Sequence, residues 1–313
     1  MNCPRCNATN PEGAAFCANC GKALEPGKEP NPGAQPFEGV SFPSPPPPPD
    51  PDAILPSTLG QLIRYTFGVY QRTFITIVSI TLVAQVPILI ASLLSNVTAI
   101  IILSIVGIFS GLVASGAVAF AVAQFYVGRV PSALGCFTGA MNNGTSLLAN
   151  GFMFGSALFL CVFLIALPIG IPSLSLVLGT VLLVFVAVSW FFYVQAVVIE
   201  SRGPVAALAR SWQLVREDWW KVFIVGLVFL LIIGGLAVAL SLPGWALLSS
   251  HPALGNFLIS LAGVFIAPIV YIGSTLVYFD LRARKEGLTL SRLASDIDFV
   301  PAPPPTEGPG RPL

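Results

Sequence analysis

Six long apolar runs constrain this chain more than any other feature. They fall at residues 74–94, 97–127, 148–167, 174–199, 222–242 and 257–279. Each reaches the roughly 20 residues that a helix needs to cross a hydrocarbon core. Helices buried in a soluble domain would alternate apolar and polar faces, and these runs carry no polar face. Only 9% of the 313 residues are charged while 55% are hydrophobic, which excludes an ordinary soluble globule. The expected fold is therefore an all-α integral membrane protein with six transmembrane helices.

The charges say which way the helices run. Arg64 and Arg72 precede the first run, Arg129 lies between the second and third, and Arg202, Arg210, Arg216 and Lys221 lie between the fourth and fifth. Arg282, Arg284 and Lys285 follow the sixth. The other three connections, at residues 95–96, 168–173 and 242–256, hold no Lys, Arg, Asp or Glu. All fifteen basic residues thus fall on one side, which the positive-inside rule makes the cytosolic side. The expected location is the plasma membrane of a bacterium or archaeon, multi-pass, with both termini in the cytoplasm. Since the first apolar run starts only near Phe74, no leader for cleavage is expected at the front.

Short stretches opening at Leu59, Leu134 and Leu208 each lead into a pair of runs. In the third, Leu208, Trp212, Val215 and Trp219 share one helical face with Arg210 and Glu217 opposite. Such a helix lies in the interface with its tryptophans at headgroup level and its charges toward water. Three repeats of interfacial helix plus hairpin follow. Small residues at Gly107, Gly111 and Ser115, and at Gly151 and Gly155, permit close helix contact within the chain, with a homo-oligomer seam as the other use. Pro87, Pro168, Pro243 and Pro268 are expected to kink or end spans, as in the broken helices of transporters. Glu200, Arg202 and Asp280 sit where spans meet the cytosol, and Glu200 or Asp280 could clamp those spans to the third interfacial helix; a charge swap of Asp280 with Arg210 is the pairing weighed.

Ahead of all this stands "CPRCNATNPEGAAFCANCG". Cys3, Cys6, Cys17 and Cys20 form two C-x2-C knuckles, each able to turn two sulfurs toward one ion, and together they fill a tetrahedral shell. Doubled spacing of this kind reads as zinc rather than disulfides in a reducing compartment. With all four positions taken by protein, the expected ion is structural: one Zn2+. Cys136 and Cys161 stand alone in apolar surroundings and read as inert buried thiols. The stretch resembles the short zinc-ribbon modules at the N-termini of many bacterial and archaeal proteins, with Asn7 where a glycine usually follows the first knuckle. That resemblance implies a protein-contact or regulatory role.

Domain organisation follows as residues 1–25, a zinc ribbon; 26–56, a disordered linker with twelve prolines, extended and semi-rigid; 57–287, the six-helix transmembrane domain; and 288–313, a Pro-rich disordered tail. The stretches "ESRGPVAALARSWQLVREDWWKVF" and "STLVYFDLRARKEGLTL" resemble the membrane domain fused to some glycerophosphoryl diester phosphodiesterases, over roughly residues 57–290. The matching positions are Arg210, Ser211 and Trp212, then Asp280, Leu281, Arg282, Arg284, Glu286 and Gly287. That resemblance implies a membrane domain alone, since the hydrolase would require a separate soluble barrel with paired histidines and metal-binding carboxylates. The single histidine, His251, lies in an uncharged loop beside Pro252. No catalytic constellation is present, so no enzyme is expected.

The deep polar groups Gln85, Gln124, Gln195 and Ser274 are all neutral, and no ionisable residue marks a proton or ion path. The reading is a non-enzymatic integral membrane protein whose cytosolic ribbon contacts or senses a protein partner, with the bilayer as its other partner and no nucleic acid. The alternative is uncoupled transport or handling of a small solute or lipid by the six helices.

Overall fold

In a computed structural model the chain is described over residues 2, 3, 9, 52, 54, 57–166 and 172–298. It divides into two units, Met1–Pro49 and Asp50–Leu313. In the first unit Asn2 and Thr9 form an isolated antiparallel bridge. Cys6, Cys17 and Cys20, most of the proline linker, and Pro168 lie outside the described residues.

The named elements of the second unit, among its described residues, are all helices. Three times a short helix precedes a long hairpin. The first group is α1 (Leu59–Arg72) with α2 (Phe74–Ala91) and α3 (Val97–Tyr126). The second is α4 (Ala133–Met141) with α5 (Gly144–Ala166), α6 (Pro172–Ser189) and α7 (Tyr193–Val198). The third is α8 (Pro204–Val215) with α9 (Trp219–Leu247) and α10 (Pro252–Glu286), and α11 (Leu290–Asp298) closes the unit. Six helices are long and apolar enough to cross a membrane, and at most 39% of any span's most apolar window is buried. The remaining apolar face must meet hydrocarbon rather than water, so the chain is a multi-pass membrane protein.

Local chemistry sets the helix ends. Thr58 caps α1 through a reciprocal pair with Gln61, the Thr58 N–H donating to Gln61 Oε1 at 2.8 Å. Behind that cap Leu62, Thr66 and Val69 recur at spacings of four and three and turn one face inward. Asn96 and Ser132 cap α3 and α4 by accepting with their side-chain oxygens from the Ala99 and Gly135 N–H groups. The longest helix, α10, packs against α1, α2, α3, α8 and α9 and supplies Tyr278, Phe279 and Leu281 to the core. Gly287 ends it at φ 60°, a left-handed position that glycine alone occupies without strain.

Three expectations are corrected. Fourth-span helicity does not run unbroken over 174–199: it stops at Ser189 and restarts at Tyr193. No proline stands at that break, whereas Pro87, Pro243 and Pro268 lie inside continuous helices. Next, the tail is not structureless from residue 288, because α11 buries Leu293 and Ile297, one turn apart. Proline-rich composition starts only at Pro301, and the short amphipathic run before it packs against α3. Finally, α8 ends at Val215. Leu208 and Val215 are buried as expected, but Trp219 opens α9, and Arg210 turns toward carboxylates instead of water.

Candidate functional site

Charged residues from the sequence's basic connections converge at one end of the helices, where they build a connected lattice. Its centre is Glu200, whose side chain is 6% exposed. Arg210 of α8 donates to it through Nε at 2.9 Å and through Nη2 at 3.0 Å. The Tyr278 hydroxyl and Arg282 of α10 approach from the other side, and Arg202 caps the group at 3.3 Å. Arg210 also donates to Glu286 at 2.8 Å, and Arg282 reaches Asp296 of α11 at 2.9 Å. One network therefore ties the turn after α7 to α8, α10 and α11.

A second network centres on Asp280, 3% exposed. It accepts from the Ser57 N–H at 2.6 Å, from Lys221 Nζ of α9 at 2.9 Å and from Arg284 Nε at 2.9 Å. The expected clamp of span ends onto α8 is thus real, but its pairing differs. Arg210 holds Glu200 and Glu286, and Asp280 holds Lys221 and Arg284, so Arg210 and Asp280 are not partners. At the rim Arg129 grips Asp298 with two bonds of 2.7 Å. Backbone bonds complete the junction: the Ile54 N–H donates to the Leu288 carbonyl at 3.1 Å and the Leu290 N–H to Asp52 at 2.8 Å.

Electrostatically the lattice is self-compensated. Burial pushes the Glu200 carboxyl up, but the Arg210 hydrogen bonds and the Arg282 charge outweigh it, and the net shift is below the ordinary glutamate value of 4.5. Arg210 is raised, its burial offset by Glu286 and Glu200. A carboxylate held ionised between guanidinium groups is a poor proton donor, so the arrangement fixes helix ends more readily than it moves protons.

The helix break between Ser189 and Tyr193 is spliced by a side chain that sequence reasoning quoted only for its resemblance. Ser211 of α8, wholly buried, accepts from the Phe192 N–H at 3.1 Å and donates to the Ser189 carbonyl at 2.9 Å. Backbone groups released by the break thereby keep partners away from water. No signal in the sequence marks this site beyond a lone serine among apolar residues.

The other singled-out residues disperse. Gln195 donates to Ser274 at 2.9 Å, and Gln124 accepts from the Cys136 thiol at 3.7 Å. Burial pushes the Cys136 thiol up to about 11, which keeps it protonated and unreactive. Cys161 is buried in α5, and His251 is the exposed residue preceding α10. Gln85 joins Gly107, Gly111, Ser115, Gly151 and Gly155 around a cavity.

Of the four proposed zinc ligands, Cys3 is the one described, and it is 1% exposed beside the Asn2–Thr9 bridge. The zinc-ribbon domain family matches residues 2–24. No curated protein and no solved structure matches the chain. The front module is therefore a zinc-ribbon domain, and zinc binding is what such a domain implies. It precedes six apolar helices that the family match does not reach.

Proposed function

We propose that this is a non-enzymatic multi-pass membrane protein whose ribbon recruits or senses a protein partner at the cytosolic face of a bacterial or archaeal plasma membrane. The observation that carries the reading is the zinc-ribbon match at residues 2–24 on a chain with six membrane-spanning helices. Cys3, Cys6, Cys17 and Cys20 would hold a single zinc ion. The ion supplies folding energy to a module with almost no core, on the order of 10 kcal/mol, and no open position for a reactive water.

The likeness of the membrane part to the domain fused to glycerophosphoryl diester phosphodiesterases fits the same reading. The positions that carry it have structural duties: Arg210, Asp280, Arg282, Arg284 and Glu286 build the lattice, Ser211 splices the broken helix, and Gly287 ends α10. The positive-inside rule puts the charged end of the helices, and both termini, in the cytosol. Trp212, Trp219 and Trp220 at that end suit headgroup depth.

A pull-down from detergent extracts tests the proposal by comparing the full chain with a version lacking residues 1–56. Deletion should remove a defined set of protein partners, and Cys17→Ser should lose the same set together with about one equivalent of zinc. An unchanged partner set in both variants would overturn the proposal.

A further inference from the structure

A cavity of about 720 Å³ opens among α2, α3, α5, α7 and α10. Its glycines are of two kinds. A Cβ on Gly107 would meet Ile88 at 2.4 Å, and one on Gly151 would meet Leu112 at 2.3 Å, so these two let the helices approach. Gly111 and Gly155 have nothing within 4 Å of an added Cβ. The space before them is the cavity itself.

Polar groups without partners face this space. Tyr193 is 8% exposed and its ring packs on Phe154 at 5.1 Å, yet its hydroxyl makes no hydrogen bond among the described residues. The Tyr271 hydroxyl and the Gln85 amide, which also line the cavity, are in the same condition. Unpaired donors facing a cleft that water does not fill are destabilising unless an occupant supplies acceptors. By contrast, a second cavity of about 410 Å³ between α6, α9 and α10 is walled by hydrocarbon, and its Ser274 is already bonded to Gln195.

The cavity's rim tells where an occupant comes from. Ile108, Phe152 and Phe159 are 68%, 71% and 71% exposed, on faces that no other helix covers. Gln85 lies eleven residues into α2, about 16 Å of helix rise, which is deep in the hydrocarbon layer. The opening is sideways, into lipid. No Lys, Arg, His, Asp or Glu lines it, so a charged group would enter without compensation.

We propose that this cleft binds one uncharged membrane lipid, whose carbonyl or hydroxyl groups are hydrogen-bonded by Tyr193, Tyr271 and Gln85 and whose hydrocarbon chain leaves past Phe152 and Phe159. Both uses of the lining are then explained: the aromatic and glycine walls take hydrocarbon, and the three unpaired groups take the polar head. The site lies in the membrane domain and is independent of the ribbon reading, so it stands or falls separately.

The test uses the full-length chain in lipid nanodiscs and two photoreactive probes with the same diazirine-bearing acyl chain, a diacylglycerol and a phosphatidylglycerol. The diacylglycerol should label peptides covering 107–115 and 151–159 about fivefold or more above the phosphatidylglycerol, because the anionic phosphate would enter an uncharged cleft without compensation. Gly155→Leu places its side chain in the open space and should abolish that excess, as should Gly111→Leu, while Tyr193→Phe should reduce labelling by the diacylglycerol itself about fivefold. Mapping on the unaltered chain needs no variant to fold. Label spread evenly over the spans, equal labelling by both probes, or cross-links joining two copies through 151–159 would each overturn the proposal, the last by giving this face to self-association.

Discussion

Ser211 shows how much one hydroxyl can carry where water is absent. It bonds both the Phe192 N–H and the Ser189 carbonyl, the groups that a broken fourth span would otherwise leave bare. Ser211→Ala removes both bonds at once. The expected loss is about 1–3 kcal/mol of stability, read as a lower unfolding midpoint in detergent; a variant as stable as the parent would mean that the break finds other partners. Ser211→Thr, which keeps the hydroxyl, should lose less if the buried site accepts a methyl group. The sequence marks Arg210, Ser211 and Trp212 only by resemblance, because a serine beside tryptophan has no periodicity of its own. The cysteines are the opposite case. Their spacing alone points to a metal ribbon, since two knuckles of fixed length must meet one ion.

At the scale of elements, the end lattice makes the short helices part of the membrane unit. Glu200 is the sensitive member, because its folded pKa lies below the ordinary 4.5. Stability from such a group is fully present above its unfolded pKa and is lost as pH falls through the lower folded value. The unfolding midpoint should therefore stay level from pH 8 to about pH 5 and decline below about 4.5, the region of ordinary glutamate titration. Glu200→Gln should start less stable at pH 7 and decline less steeply in acid. An equal acid limb in parent and variant would remove Glu200 from the account. Helix identity was readable here where periodicity was long. Partner identity was not, because α11 is too short to stand out before the prolines, and because side-chain direction on α8 depends on which helices surround it. Arg210 reads as water-facing on a helical wheel and yet lies inside, since Glu200 and Glu286 come from elements 10 and 76 residues away along the chain.

At the scale of the whole molecule, the six spans and the one-sided distribution of charge were both legible, because hydrocarbon imposes length and apolarity on every crossing and leaves little room for alternatives. The structure adds that the charged connections meet: Arg129 pairs with Asp298, Arg282 with Asp296, and Lys221 with Asp280. Such contacts require those connections to share one end of the helices. They do not depend on which compartment that end faces, which the positive-inside rule supplies. The lateral cleft was not legible, since no pattern separates a glycine that admits a neighbouring helix from one that borders empty space.

The most direct measurement of the central claim is labelling of intact cells with a membrane-impermeant maleimide at two introduced cysteines. Ser250 lies in the uncharged connection between α9 and α10, and Arg292 lies exposed on α11. Ser250→Cys should react in whole cells, and Arg292→Cys should react only after the membrane is opened. Reaction of Arg292→Cys in intact cells with protection of Ser250→Cys would place the lattice and the ribbon outside the cell and contradict the account.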